Sequence, residues 1–245
     1  MFHEQKGVIP HSRRDTRETW AVLILPQLEQ QALFDLWDIN KMYYDQVPEV
    51  RLAVIPTYFC PTRRSPRSAA AGSITGDVWQ GGGRPHVPGA LGDYVCCIGS
   101  THDEQGRRTT IDYWEGMNIS SSNVPSTGAF RYGSGHFLKF AHIRDGLSNT
   151  LFVGEKHIPQ DRFGYSPDSS IFNGDHGGGM KQAGIAAPLA RGPLGSGQFG
   201  SYHPGMCQFV MGDGSVRRIP VAIDLTTLNR LANRHDGQAI DDSQF

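Results

Sequence analysis

The residues whose types suit chemistry are Ser201, His203, Asp213, the four cysteines and several carboxylates beside glycines. Ser201, His203 and Asp213 place a hydroxyl, an imidazole and a carboxylate in one short stretch, the ingredients of a hydrolytic triad. Ser201 and His203 are only two residues apart, however, in Gly200-Ser201-Tyr202-His203-Pro204-Gly205, which reads as a tight turn. No Gly-x-Ser-x-Gly elbow occurs either. Ten histidines invite a metal reading, yet His-Glu-x-x-His is absent, and His136, His142, His157, His176 and His203 are scattered as loop histidines would be. Asp145, Asp175 and Asp213 each adjoin a glycine, a setting in which calcium takes flexible oxygen ligands, although no Asp-x-Asp-x-Asp-Gly loop is present. Calcium is thus the cation these carboxylates would suit, and no other cofactor is expected. Gly81-Gly82-Gly83 and Gly177-Gly178-Gly179 lack the Lys-Ser/Thr that a phosphate cradle needs, and Arg63-Arg64 and Arg107-Arg108 read as solvated basic pairs.

The cysteines are Cys60, Cys96, Cys97 and Cys207, with no Cys-x-x-Cys and therefore no sign of a structural zinc site. A disulfide from Cys60 to Cys96 or Cys97 would close the long Gly-, Pro-, Ser- and Arg-rich loop between them, the kind of loop a crosslink helps. Buried free thiols are the competing reading, since cysteine often serves simply as a small core residue.

The elements that must position these groups are short. Trp20–Leu25 is an apolar run ended by Pro26, a buried strand or a lead-in. Leu25, Leu28, Ala32, Leu36 and Ile39 lie at helical spacing and predict a helix from Pro26 to about Trp37. The proline-flanked run 54–61 predicts an edge strand. Further strands are expected at Asp93–Ile98, His136–Ile143 and Thr150–Glu155. Gln208–Met211 and Ser215–Ile219 form a hairpin turning on Asp213-Gly214. Asp224 caps a final helix through Leu225, Leu228 and Leu231 that Gly237 can stop. The sum is an α+β fold, helices on an antiparallel sheet, in a single domain over 1–245 with loop excursions at about 62–92, 99–135 and 161–198.

Composition narrows the function. The 245 residues include 30 Gly and 15 Pro, which favours loops over long helices, and 23 Lys+Arg against 24 Asp+Glu leave a formal charge of −1. Nothing draws such a chain to nucleic acid by bulk charge. No apolar stretch is long enough to span a membrane, and the first residues show no signal-peptide core.

Several fragments together resemble a large bacterial family best known from planctomycetes. Phe2-His3-Glu4-Gln5-Lys6-Gly7-Val8-Ile9-Pro10 is similar to its His-x3-Gly-x2-Pro stretch, and 20–30 and Phe59-Cys60-Pro61-Thr62 match further blocks. Thr62 stands where serine is commoner. Residues 143–155, with Asp145, Gly146, Ser148, Asn149 and Glu155, resemble its Ile-x-Asp-Gly-x-Ser-Asn-Thr…Gly-Glu block. His203 and Asp213-Gly214 are spaced as His-x9-Asp-Gly, the motif for which this prepilin-like family is known. The family has no established function and is sometimes catalogued beside solute-binding proteins.

The resemblance implies a pilin- or pseudopilin-like globular domain behind a prepilin leader and a long apolar helix. The chain then starts late, without that N-terminal helix, through trimming or a start codon placed too far downstream. It also implies processing by a leader peptidase and display in the cell envelope outside the cytoplasmic membrane, with membrane contact only through the helix. Partners would be other pilin-like subunits or envelope components, and the chain as given would be monomeric. The motif residues then serve folding or assembly: Asp145-Gly146 and Asp213-Gly214 as turns, Ser148 and Asn149 as backbone partners, Glu155 as a buried partner, and His203 as a hydrogen bond holding the C-terminal hairpin. The expected role is non-enzymatic. The rival is an extracytoplasmic module binding a saccharide or other small solute, with Trp79, Tyr113, Trp114 and Tyr165 stacking on it.

Overall fold

The computed structural model describes residues 2–67, 87–100, 102, 104, 126–133, 137–165, 167–190 and 198–240. Its centre is a five-stranded sheet of order β3-β1-β2-β4-β5, built from β1 (Tyr94–Cys97), β2 (Leu151–Glu155), β3 (Met180–Lys181), β4 (Met206–Met211) and β5 (Val216–Pro220). Four strands pair antiparallel, whereas β3 lies parallel to β1, with Cys96 opposite Met180. The sheet is therefore mixed and not purely antiparallel. The helices are short: α1 (Phe2–Lys6), α2 (Trp20–Leu23), α3 (Gln31–Leu36), α4 (Pro48–Arg51) and α5 (Leu225–Ala232). No helix among the described residues is long and apolar enough to cross a membrane.

The side-chain alternation of a strand divides the sheet into two faces, one of which is left open at Val210 of β4 and Val216 of β5. Val95 and Cys97 of β1 join Leu151, Phe199, Phe209, Met211, Ile219 and the apolar side of α5 in one buried cluster. Cys96 and Ile98 point the other way, into a larger cluster with Trp20, Leu25, Tyr58, Phe130 and Phe172. The ladder between β2 and β4 shifts register between Leu151 and Val153. Gly154 is needed where β2 meets this aromatic layer: a Cβ there would lie 2.4 Å from the Phe209 ring and 2.9 Å from that of Phe199.

Several expected elements take other forms. Trp20–Leu25 is not a strand. Thr19 caps α2, its Oγ1 accepting from the Ala21 N–H at 3.3 Å, and Leu25–Leu28 follows as a 3-10 turn. The helix expected from Pro26 to Trp37 is broken at Glu29, which adopts φ 61° before α3 begins. Its apolar residues share no single buried face, because Leu25 is buried while Leu36 is 64% exposed. The predicted edge strand holds a 3-10 turn at Pro56–Tyr58, where Pro56 starts the turn. The run at 136–143 likewise holds a 3-10 turn, Phe140–His142. Residues 161–198, expected as a loop excursion, supply β3 and the fully buried Ile171 and Phe172. The C-terminal helix starts at the Asp224 cap, whose carboxylate accepts from Thr227 N–H at 2.8 Å, but ends at Ala232, well before Gly237.

Candidate functional site

Three of the sequence blocks meet at one point. Cys60 follows the Pro56–Tyr58 turn, and its N–H donates to Asp93 Oδ2 at 3.0 Å, which anchors the loop against the start of β1. Glu155 is the last residue of β2, opposite Tyr94, and its Oε2 accepts the Gln208 N–H of β4 at 2.9 Å. His203 lies in the turn before β4, where its N–H donates to Ser201 Oγ at 2.8 Å. Its Nε2 is 3.7 Å from Cys60 Sγ and 3.4 Å from Glu155 Oε1. The ligating atoms of all three lie within 4.8 Å of one another. Thr62 Oγ1 stands 3.0 Å from the sulfur and 3.4 Å from the same ring nitrogen, and the Gln208 side-chain amide reaches that nitrogen at 3.1 Å. Cys60 and Glu155 are buried, and the His203 side chain is 21% exposed, so one side of the cluster opens to solvent. Burial pushes the Cys60 thiol above its ordinary range, the Thr62 contacts oppose this, and the nearby Glu155 carboxylate adds to the rise.

Beneath this cluster runs a buried ionic network. The Arg63-Arg64 pair, expected in solvent, is buried instead, because each guanidinium finds anions and aromatic faces inside. Arg64 reaches Asp168 at 2.5 Å and Asp93 at 2.7 Å, and its guanidinium lies over the rings of Phe59 and Phe163. Arg63 lies 3.4 Å from Asp93, donates to the Gly200 carbonyl at 2.9 Å and covers the Tyr202 ring. Lys156 Nζ is 3.0 Å from Asp168. Burial alone would raise the Asp168 pKa, but Lys156 and Arg64 outweigh it and hold the carboxyl below its usual range. Burial, aided by the Arg64 charge, lowers the pKa of Lys156 despite Asp168 beside it. The contact from Cys60 to Asp93 joins this network to the upper cluster.

The other motif residues do not converge. Asp145 takes the backbone N–H groups of Asp236 and Gly237 at 2.7 and 2.9 Å and so latches the segment after α5. Gly146 has φ 95°, Asn149 Nδ2 donates to the Asp145 carbonyl at 3.4 Å, and Ser148 lies in the 3-10 turn leading to β2. Asp213 is exposed at the hairpin tip, where it accepts from Ser215 N–H and Oγ, and Gly214 takes φ 85°. Asp175 accepts the Tyr44 hydroxyl at 2.7 Å. The carboxylates considered for calcium thus have separate partners and form no common site. All four cysteines are free and buried, so of the two readings the buried thiols hold and the crosslink from Cys60 does not. Cys96 and Cys97 point into opposite cores, and Cys60 faces Thr62 and His203. Among the proposed stacking residues, Tyr165 is exposed and lines neither cavity described here, while Trp79, Tyr113 and Trp114 lie outside the described residues, as do His136 and Arg107-Arg108. Cys60 as a neighbour of His203, and the network of Asp93, Lys156 and Asp168, were not foreseen. The one signal was that Cys60, Glu155 and His203 each belong to a separate block.

Two depressions lie on the surface of the described residues. The larger, about 380 Å³, runs between Trp20, Ile24 and Leu28 on one side and Val153, Val210 and Val216 of three neighbouring strands on the other. Val210 and Val216 are exposed there. The second, about 350 Å³, lies between the α1 region and Phe137.

A family model described as "Protein of unknown function (DUF1559)", SBP_bac_10, matches residues 1–226. The chain belongs to this family. No curated protein and no solved structure matches it. Family membership therefore leaves the chemistry to be argued from the residues themselves.

Proposed function

We propose that this chain is the globular domain of a pilin-like envelope protein, acting by assembly and carrying out no turnover of its own. The observation that supports it is the apolar groove over the sheet. Trp20, Ile24 and Leu28 face Val153, Val210 and Val216 across about 380 Å³, with the two last valines open to solvent. Exposed Val210 and Val216 gathered with partly buried Ile24, Leu28 and Val153 along one groove suit an interaction surface. Its shape and chemistry suit an apolar helix, the element that the family resemblance puts ahead of the globular domain. The motif residues fit the same reading. Asp145 and Asp213 serve backbone groups, and Ser201 is held in a turn by the His203 N–H.

The test is the native protein in its own cell. Mass spectrometry of the mature N-terminus, with cell fractionation, should find a processed leader followed by about 20 apolar residues and recovery with the envelope. A Val210→Asp, Val216→Asp double variant should remain folded and lose assembly. A mature protein beginning at Met1 and recovered free of the envelope would overturn this reading, and a binding role would then lead.

A further inference from the structure

Cys60, Glu155 and His203 come from three distant parts of the chain, yet their ligating atoms share one small volume. Two of the separations, 3.7 Å from sulfur to nitrogen and 3.4 Å from nitrogen to oxygen, match a tetrahedral metal site. Bonds of about 2.0–2.3 Å around a tetrahedral zinc hold its ligands about 3.3–3.7 Å apart. A second observation is independent of spacing. Glu155 is only 1% exposed, and its Oε1 has no hydrogen-bond partner although Oε2 is satisfied by Gln208 N–H. That oxygen lies 3.4 Å from His203 Nε2, and the Gln208 side-chain amide stands 3.1 Å from the same ring nitrogen. A buried carboxylate oxygen without a hydrogen-bond partner therefore stands beside an imidazole nitrogen and a sulfur. Such an arrangement is costly unless a cation lies between them.

We propose that Cys60 Sγ, Glu155 Oε1 and His203 Nε2 bind a divalent cation of the zinc type, with a fourth position open on the solvent side of His203. As the sulfur–metal bond forms, the Cys60 thiol proton leaves to solvent. One thiolate and one carboxylate then balance the two positive charges, and a neutral cluster suits a buried setting. Thiolate and imidazole select zinc and its transition-metal neighbours over calcium and magnesium, which prefer oxygen. Thr62, within hydrogen-bond reach of the sulfur, positions that ligand. The bound ion clamps the loop after the Pro56–Tyr58 turn to the end of β2 and to the turn before β4.

The experiment uses reduced protein stripped with a chelator and titrated with Zn²⁺ or Co²⁺. One equivalent of Co²⁺ should produce a thiolate-to-cobalt charge-transfer band in the near ultraviolet, and Ca²⁺ should not compete. Cys60→Ser, Glu155→Gln and His203→Ala should each weaken Zn²⁺ binding by more than the roughly 10–100-fold that loss of a supporting group costs, and Thr62→Ala should fall within that range. His142→Ala should bind as wild type. His203 is partly exposed, so its variant serves if the buried ones fail to fold. Zn²⁺ should also slow alkylation of Cys60, mapped by mass spectrometry, in wild type but not in His203→Ala. A missing charge-transfer band, binding unchanged in His203→Ala, or Cys60 alkylation indifferent to Zn²⁺ would each overturn the proposal.

Discussion

Replacing Asp168 by asparagine isolates the role of the buried ionic network. The carboxylate is fully buried and meets Arg64 at 2.5 and 3.3 Å, Lys156 at 3.0 Å and the Gly164 N–H at 3.0 Å. Asparagine keeps the shape and one acceptor oxygen but removes the charge. Around it, Arg63, Arg64 and Lys156 would then face Asp93 alone. Breaking a buried pair from one side costs about 3–5 kcal/mol, since the remaining charge is stranded, and Asp168→Asn should lose that much in urea unfolding at neutral pH. Lys156→Met removes the cation whose pKa is already lowered, and should cost less. The double variant should be more stable than the sum of the two predicts, by about 1–3 kcal/mol, because the residues share one interaction. The pH dependence has a definite sign. Asp168 is held below its usual value of 3.8, so its contribution is complete above that value in the unfolded chain and is lost as pH falls through the lower folded value. The gap between wild type and Asp168→Asn should therefore narrow below about pH 4. A gap under about 1 kcal/mol at neutral pH, additive single costs, or a gap independent of pH would refute the reasoning.

Asp145→Asn should weaken two charge-assisted bonds to the Asp236 and Gly237 amides, costing roughly 1.5–3 kcal/mol; amide exchange at these two positions checks it, and should rise there before the sheet is affected. Gly154→Ala should cost about 1–3 kcal/mol by pushing a methyl group into Phe209 and Phe199, whereas Gly177→Ala, with open space at its Cβ, should leave the melting temperature unchanged. Alkylation of the protein unfolded without reductant should label all four cysteines, since each is a free thiol in the native fold; a protected pair would contradict this.

Much of the sheet was legible. The runs that became β1, β2, β4 and β5 are short, rich in β-formers and bounded by Gly, Pro or Asp-Gly, and Asp224 marked the start of α5 through its capping carboxylate. Trp20–Leu25 was ambiguous because three successive buried residues suit a buried strand or a buried helix equally, and periodicity cannot choose between them. The left-handed turn at Glu29 carries no residue signal such as glycine. Residues 161–198 looked like a surface loop because of their glycines, yet Ile171, Phe172 and Asp168 are buried through distant partners. The same limit applied to the site. Each of Cys60, Glu155 and His203 stood out in its own block, but their meeting depends on β2 and β4 lying side by side and on the loop bonded to Asp93.

The opposed side chains of Cys96 and Cys97 have a consequence for how the molecule opens. Neighbours in the chain, they project into different clusters, so each thiol becomes reactive only when its own side of the sheet loosens. Burial raises both pKa values, that of Cys97 to about 12, which keeps either thiol quiet while its cluster is closed. Labelling rates measured at these two adjacent atoms would report separately on the two layers. Equal rates would mean that the layers come apart as one cooperative unit, and unequal rates would show which layer breathes first.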